Sequence, residues 1–223
     1  MSVRDNLHKI KKEIPENVSL VAVSKTMPLD IIMEAYDAGQ RVFGENKAQE
    51  MIRKQPELPS DIKWHFIGHL QTNKVKYLAP FVGMIESIDS LKLLREVNKQ
   101  ALKNERIIKC LLQFHIATEE SKFGLDMEEA ESLLKSEEYK QLNKIKLCGV
   151  MGMATFTENV SLIRNEFRNL SRIFREIKQK YFQRDDTFRE ISMGMTGDYP
   201  VAIEEGSTIV RIGTAIFGER EHG

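Results

Sequence analysis

Eight short apolar runs, at 20–24, 41–45, 64–68, 83–88, 107–116, 147–154, 188–194 and 209–217, punctuate the chain, with helix-like stretches between them. This alternation limits the fold more than any other feature. The runs are continuously apolar, as strands are when helices cover both faces of a parallel sheet. Seven of the eight are followed by a helical stretch, which is the element count of a (β/α)8 barrel. A doubly wound open sheet uses the same units and differs in strand order, which a sequence does not carry. The helical stretches have recognisable ends. Pro28 and Asp30 open 31–38 and Gly39 closes it. Ser90 is placed to cap 91–104 and Asp126 to cap 127–134. Asn159 or Ser161 starts a stretch through Ile177, where Leu162, Phe167, Leu170, Ile173 and Phe174 recur at helical spacing. The segment before Ser19 reads as an extra N-terminal helix. With no linker, low-complexity tract or sequence repeat, residues 1–223 are expected to form one domain.

Composition excludes several classes of partner. Lysine plus arginine and aspartate plus glutamate number 33 each, so no overall positive field draws the chain to nucleic acid. No run reaches membrane-spanning length, and the N-terminus lacks the apolar stretch of a secretory signal. Cys110 and Cys148, the two cysteines, each lie beside an apolar run. They read as buried thiols in a reducing compartment, so a cytoplasmic location is expected.

In a barrel the C-terminal strand ends converge on one mouth. Here those ends carry Lys25, Asn46, Gly68-His69, Ser87 to Asp89, His115, Met153, Ser192 and Arg211. A lysine closing an apolar strand loses hydration, which disfavours its charged form and frees the amine to attack a carbonyl. The plainer alternative is a lysine extending to solvent. The last two strand ends run into SMGMTG (192–197) and IGT (212–214). Their glycines let backbone N–H groups approach an anion, and Ser192, Thr196 and Thr214 add hydroxyls, although turn geometry alone also explains glycine there. Barrels frequently bind phosphate with these two loops. An amine and a phosphate cradle at one mouth favour a phosphorylated aldehyde cofactor held as a Schiff base. Arg211, inside the last strand, either faces a ring nitrogen of that cofactor or pairs with a barrel glutamate such as Glu45 or Glu86. Facing an arginine, a ring nitrogen stays unprotonated and is a weaker electron sink.

Weaker features surround this set. Asn46 either hydrogen-bonds a ring hydroxyl or caps the next helix. His65 and His69 line the mouth or sit satisfied in the core, and neither has partners at zinc spacing, so no metal site is expected. Lys122 lies in a charged loop within reach of the mouth. Met151, Met153, Met193 and Met195 read as pliable packing.

The segments VAVSKT (21–26), FGENKAQE (43–50), WHFIGHLQTNK (64–74), ESKFG (120–124), GVMGMA (149–154), SMGMTGD (192–198) and GSTIVRIGTAIFG (206–218) resemble those of the YggS/PROSC family, the pyridoxal 5′-phosphate homeostasis proteins. The resemblance runs in order over nearly the whole chain. It implies a barrel related to the N-terminal domain of alanine racemases, with pyridoxal 5′-phosphate at the strand C-termini. It also implies that Lys25 is the Schiff-base lysine and that Arg211 faces the pyridine nitrogen. Ser192, Gly213 and Thr214 then form the phosphate cradle, with Asn46 beside the ring. Thr196 stands where the family commonly has serine, and Lys47-Ala48 fall where it varies.

Two functions follow from that resemblance: a reversible holder that buffers or delivers the cofactor, and a fold-type III amino-acid racemase-like enzyme. Racemisation needs a second acid–base group on the far face of the α-carbon. Related racemases take it, a tyrosine, from a separate β-domain. This chain stops at Gly223, so that domain is not expected in it, and Tyr199 is the one tyrosine near enough to substitute. Tyr199 also reads as the start of a helix, with Asp198 as cap and Pro200 in its first turn. The holder is the favoured reading, as a monomer making transient contact with apo forms of enzymes that use the cofactor. A sugar-phosphate-binding barrel, with Lys25 a surface cation, is the third.

Overall fold

The computed structural model describes residues 2–118 and 123–218. Its centre is a closed barrel of eight parallel strands in sequential order: β1 Ser19–Val23, β2 Val42–Glu45, β3 Lys63–Phe66, β4 Met84–Ile88, β5 Ile108–Phe114, β6 Ile145–Gly152, β7 Glu190–Ser192 and β8 Ile209–Ile212. Closure is made by β1 on β8, where Ser19 pairs with Ile209 and Ala22 with Ile212. The (β/α)8 reading therefore holds and the open sheet is excluded.

Helices cover the outside. α1 Val3–Glu13 precedes the barrel, and α2 Leu29–Asp37, α3 Ala48–Lys54 and α4 Thr72–Leu78 follow the first three strands. α5 Leu91–Lys103 follows β4, and α6 Met127–Lys135 with α7 Glu137–Lys140 follows β5. α8 Val160–Tyr181, α9 Tyr199–Glu204 and α10 Thr214–Phe217 complete the set. The caps are largely those the sequence offered. Ser90 Oγ accepts from Leu93 N, Asp126 and Glu129 form a reciprocal capping box, and Asn159 rather than Ser161 caps α8. α1 opens with a capping box of Ser2 and Asp5, and Asn6 on it donates to Ile216 O at 3.1 Å, tying the N-terminal helix to the last one.

Several sequence expectations change, three of them near the mouth. The last strand ends at Ile212, and 214–217 is the helical turn α10 instead of more strand. β7 is three residues long, because Gly194 turns the chain at φ +95°, where a Cβ would also lie 2.6 Å from Ala202 Cβ. Asp198 stands at the start of α9, but its carboxylate accepts from Met195 N at 2.5 Å and caps no N–H of the helix.

The core has two parts. Val21, Met84, Leu111, Cys148, Met151 and Ile209 fill the lower barrel interior. A larger set, including Phe43, Phe66, Phe114, Phe167 and Phe188, packs between barrel and helices. Cys110 and Cys148 are both buried free thiols, and burial pushes both above the ordinary thiol range. Among the described residues no helix is long and apolar enough to cross a membrane.

Candidate cofactor site at the barrel mouth

The end of β1 is clamped from below. Ser24 is fully buried, Lys25 half-buried, and Thr26 adopts φ +66°, which an L-residue holds only where its surroundings fix it. The fixing group is Lys54 of α3, only 2% exposed. Its Nζ donates to Ser24 O at 2.7 Å, Glu45 Oε1 at 2.9 Å and Glu50 Oε1 at 2.7 Å. Glu50 accepts from Thr26 N at 2.6 Å, and Ser24 Oγ donates to Glu45 at 2.6 Å. One buried ammonium thus holds the backbone on both sides of Lys25. Burial raises the Glu45 carboxyl above its usual range, with Lys54 opposing it, and Glu45 Oε2 has no hydrogen-bond partner among the described residues. Sequence reading missed Lys54, whose one local signal is its i+4 spacing from Glu50.

A second network lies inside the barrel under the mouth. Glu86 of β4 is fully buried, with Oε1 2.6 Å from His65 Nδ1 and Oε2 accepting from Ser192 Oγ at 2.5 Å. Arg211 Nη1 donates to Ser192 Oγ at 2.6 Å, and Nη2 donates to Gly152 O at 3.0 Å. Its Nη1 lies 3.9 Å from Glu86. Burial works to raise the Glu86 carboxyl, yet hydrogen bonding and charge from His65, with Arg211 and Ser192, hold it below the usual range. Burial likewise lowers Arg211, against the pull of Glu86 and Asp198. Of the two barrel glutamates, Arg211 pairs with Glu86, while Glu45 belongs to Lys54.

Above these networks opens a cavity of about 560 Å³, within the range of small-molecule sites. Lys25, Asn46, Arg211, Gly213 and Thr214 all line it, as do Thr196 and Gly197. Adjacency explains the grouping. β1 is bonded to β2 and β8, so Lys25, Asn46 and Gly213-Thr214 leave neighbouring strands, with the β7 loop next in line. Gly68 permits the approach of Asn46, since a Cβ there would lie 2.2 Å from Asn46 O. Val23, Ile67 and Met195 supply apolar wall.

The other sequence candidates divide between the cavity wall and the layer beneath it. Ser192 does not line the cavity. Its hydroxyl lies beneath, donating to Glu86 and accepting from Arg211. His65 is likewise beneath the cavity, on Glu86, whereas His69 lines it, stacked on Phe123 with centroids 4.0 Å apart and Nδ1 3.2 Å from Asp89. Tyr199 does begin α9, but its hydroxyl is hydrogen-bonded to Glu13 of α1 and it is not a lining residue. Met153 and Met195 line the cavity while Met151 and Met193 are core. Lys122 lies outside the described residues. Sequence reading also missed Glu166 of α8. Its carboxylate, 5% exposed, accepts from Thr118 N at 2.9 Å and from Thr155 N and Oγ1 at 2.7 Å each, joining the loops after β5 and β6 at the rim.

A closed parallel barrel with an amine, a buried guanidinium and two glycine-bearing loops on one cavity defines a class: small (β/α)8 barrels with a ligand-sized cavity at the strand C-termini. The chain belongs to the alanine racemase N-terminal domain family, whose model matches residues 1–221, and within it to the pyridoxal phosphate homeostasis proteins. It is 42% identical to the pyridoxal phosphate homeostasis protein of Aquifex aeolicus, over 91% of this chain and 87% of the relative. The Haemophilus influenzae protein of the same name is 40% identical, over 100% of this chain and 98% of that one. In three dimensions the chain is similar to PipY of Synechococcus elongatus with PLP bound, at 34% identity and a TM-score of 0.88, covering 97% of this chain and 100% of that one.

Proposed function

We propose that this protein binds pyridoxal 5′-phosphate reversibly at the barrel mouth and serves vitamin B6 homeostasis by buffering or delivering it. The observation that carries the reading is that Lys25 and Arg211 open onto the same cavity, each held from below by its own buried network. When bound, the cofactor supplies an aldehyde that condenses with an amine and releases water. Lys25 Nζ is the amine placed for it, on a strand end whose backbone Lys54 keeps fixed. Arg211, a permanent donor on the cavity wall, would face the ring nitrogen, which fits an unprotonated pyridine. The loops after β7 and β8 would hold the phosphate. Thr196 and Thr214 contribute hydroxyls and Gly197 and Gly213 close backbone approach. The first N–H groups of α10, Thr214 and Ala215, have no intrahelical acceptor. Ser192 serves one step back, by holding Arg211. Asn46, on the cavity wall, would flank the ring.

Holding is favoured over racemisation because Tyr199, the candidate second base, is engaged by Glu13. Delivery brings transient contact with apo forms of enzymes that use the cofactor, made by a monomer whose mouth faces solvent. The buried free thiols Cys110 and Cys148 suit the reducing cytoplasm. The test is transfer. Loaded protein mixed with an unrelated apo-enzyme in deuterated water should restore that enzyme while leaving L-amino-acid α-protons unexchanged in its absence. Enzymatic rates of α-proton exchange by this protein alone would instead make it a catalyst.

A further inference from the structure

Glu86 lies fully buried in the middle of the barrel and does not itself line the cavity. Its surroundings are specific. Both carboxylate oxygens are engaged, one 2.6 Å from His65 Nδ1 on β3 and one accepting from Ser192 on β7 at 2.5 Å. Ser192 in turn accepts from Arg211 on β8 at 2.6 Å. A hydroxyl that gives its only proton to Glu86 must present a lone pair to Arg211, so the direction of this three-residue chain is set at its carboxylate end. Arg211 is thereby pinned twice, by Ser192 and by Gly152 O at 3.0 Å. A planar guanidinium held at two nitrogens has its orientation fixed, and its remaining N–H groups point where the anchors dictate. The group so aimed lines the cavity.

We propose that Glu86 is a positioning residue: gripped by His65 and Ser192, its carboxylate sets the direction in which Arg211 presents its free N–H groups to a bound ring, and so sets how strongly the ring nitrogen is recognised. A carboxylate only accepts and so fixes the Ser192 proton, whereas an amide in its place can offer its NH₂ to the serine oxygen, compete with Arg211 for its lone pairs and leave the serine proton undirected. His65 supports the carboxylate from the side facing away from Ser192 and touches neither Arg211 nor the cavity. The inference rests on the cofactor reading above, since without a ring in the cavity Arg211 has nothing to recognise.

The test compares two ligands, pyridoxal 5′-phosphate and its carbocyclic analogue, in which the ring nitrogen is replaced by C–H. Both keep the aldehyde, the phosphate and the shape, so any change in overall charge or folding acts on them alike. Dissociation constants are measured for the wild-type protein and for Glu86→Gln, His65→Ala and Arg211→Met. The wild type should prefer the nitrogen-bearing ligand, and Arg211→Met should abolish the preference. Glu86→Gln should reduce it about tenfold, the effect of one misdirected hydrogen bond to a charged group. His65→Ala should reduce it by a smaller factor, and it keeps the proposal testable where Glu86→Gln fails to fold. A preference unchanged in both variants, or absent from the wild type, would overturn the proposal. Failure of the wild type to bind either ligand would instead refute the cofactor reading.

Discussion

Replacing Lys54 by methionine isolates the clamp beneath Lys25. The side chain keeps its approximate length and loses the ammonium, along with contacts to Ser24 O, Glu45 and Glu50 at 2.7, 2.9 and 2.7 Å. Removing one partner of a buried, hydrogen-bonded pair costs about 3–5 kcal/mol, since the other charge stays buried without compensation. The remaining groups fare unequally. Glu50 is 11% exposed and keeps its bond from Thr26 N, so water can replace part of what it loses. Glu45 is 0% exposed and keeps only Ser24 Oγ. It escapes by taking up a proton, because burial already raises its pKa and Lys54 is the largest influence opposing the rise. A carboxyl whose folded pKa stands above its unfolded value of 4.5 destabilises the fold fully above the folded value. The penalty fades as pH falls toward the unfolded one. Lys54→Met should therefore cost about 3 kcal/mol or more at pH ~8, lowering the melting temperature by about 10 °C, and distinctly less at pH ~5. Urea titrations of both proteins at the two pH values measure this. A cost below about 1 kcal/mol, or one equal at both pH values, would refute the idea that Lys54 neutralises a buried Glu45.

Other perturbations address the mouth directly. Thr196→Val combined with Thr214→Val should speed cofactor release more than either change alone, by about tenfold for two lost hydrogen bonds, in stopped-flow displacement experiments. An off-rate equal to wild type would remove both threonines from the cradle. Glu166→Ala leaves Thr118 N and the Thr155 N–H and hydroxyl without their acceptor. It should raise amide exchange at Thr118 and Thr155 while leaving β1 protected. Unchanged exchange at both residues would mean that Glu166 does not hold the rim loops together.

The barrel was legible because its strands are buried on both faces and so stand out as apolar runs, and because Ser90, Asp126 and Asn159 act through local bonds that a sequence displays. Strand ends were less legible. Ile216 and Phe217 continue the apolar run of β8 yet pack as a helical turn, since periodicity over four residues does not separate the two. Lys25, Arg211 and Thr214 could be placed by strand-end position alone. Ser192 could not, because only the side-chain arrangement reveals that its proton goes inward to Glu86. The Lys54 clamp was hidden for the same reason. Its members come from β1, β2 and α3, and a lysine with an i+4 glutamate resembles an exposed helix pair until burial is known.

Capture of the aldehyde by the Lys25 amine can be read directly by mass. Protein incubated with pyridoxal 5′-phosphate, reduced with borohydride and digested should carry the reduced cofactor's mass on the peptide containing Lys25. Lys25→Ala should lose that adduct while still binding the cofactor non-covalently through the Arg211 and phosphate contacts. Label on another lysine, with Lys25 unmodified, would contradict the assignment.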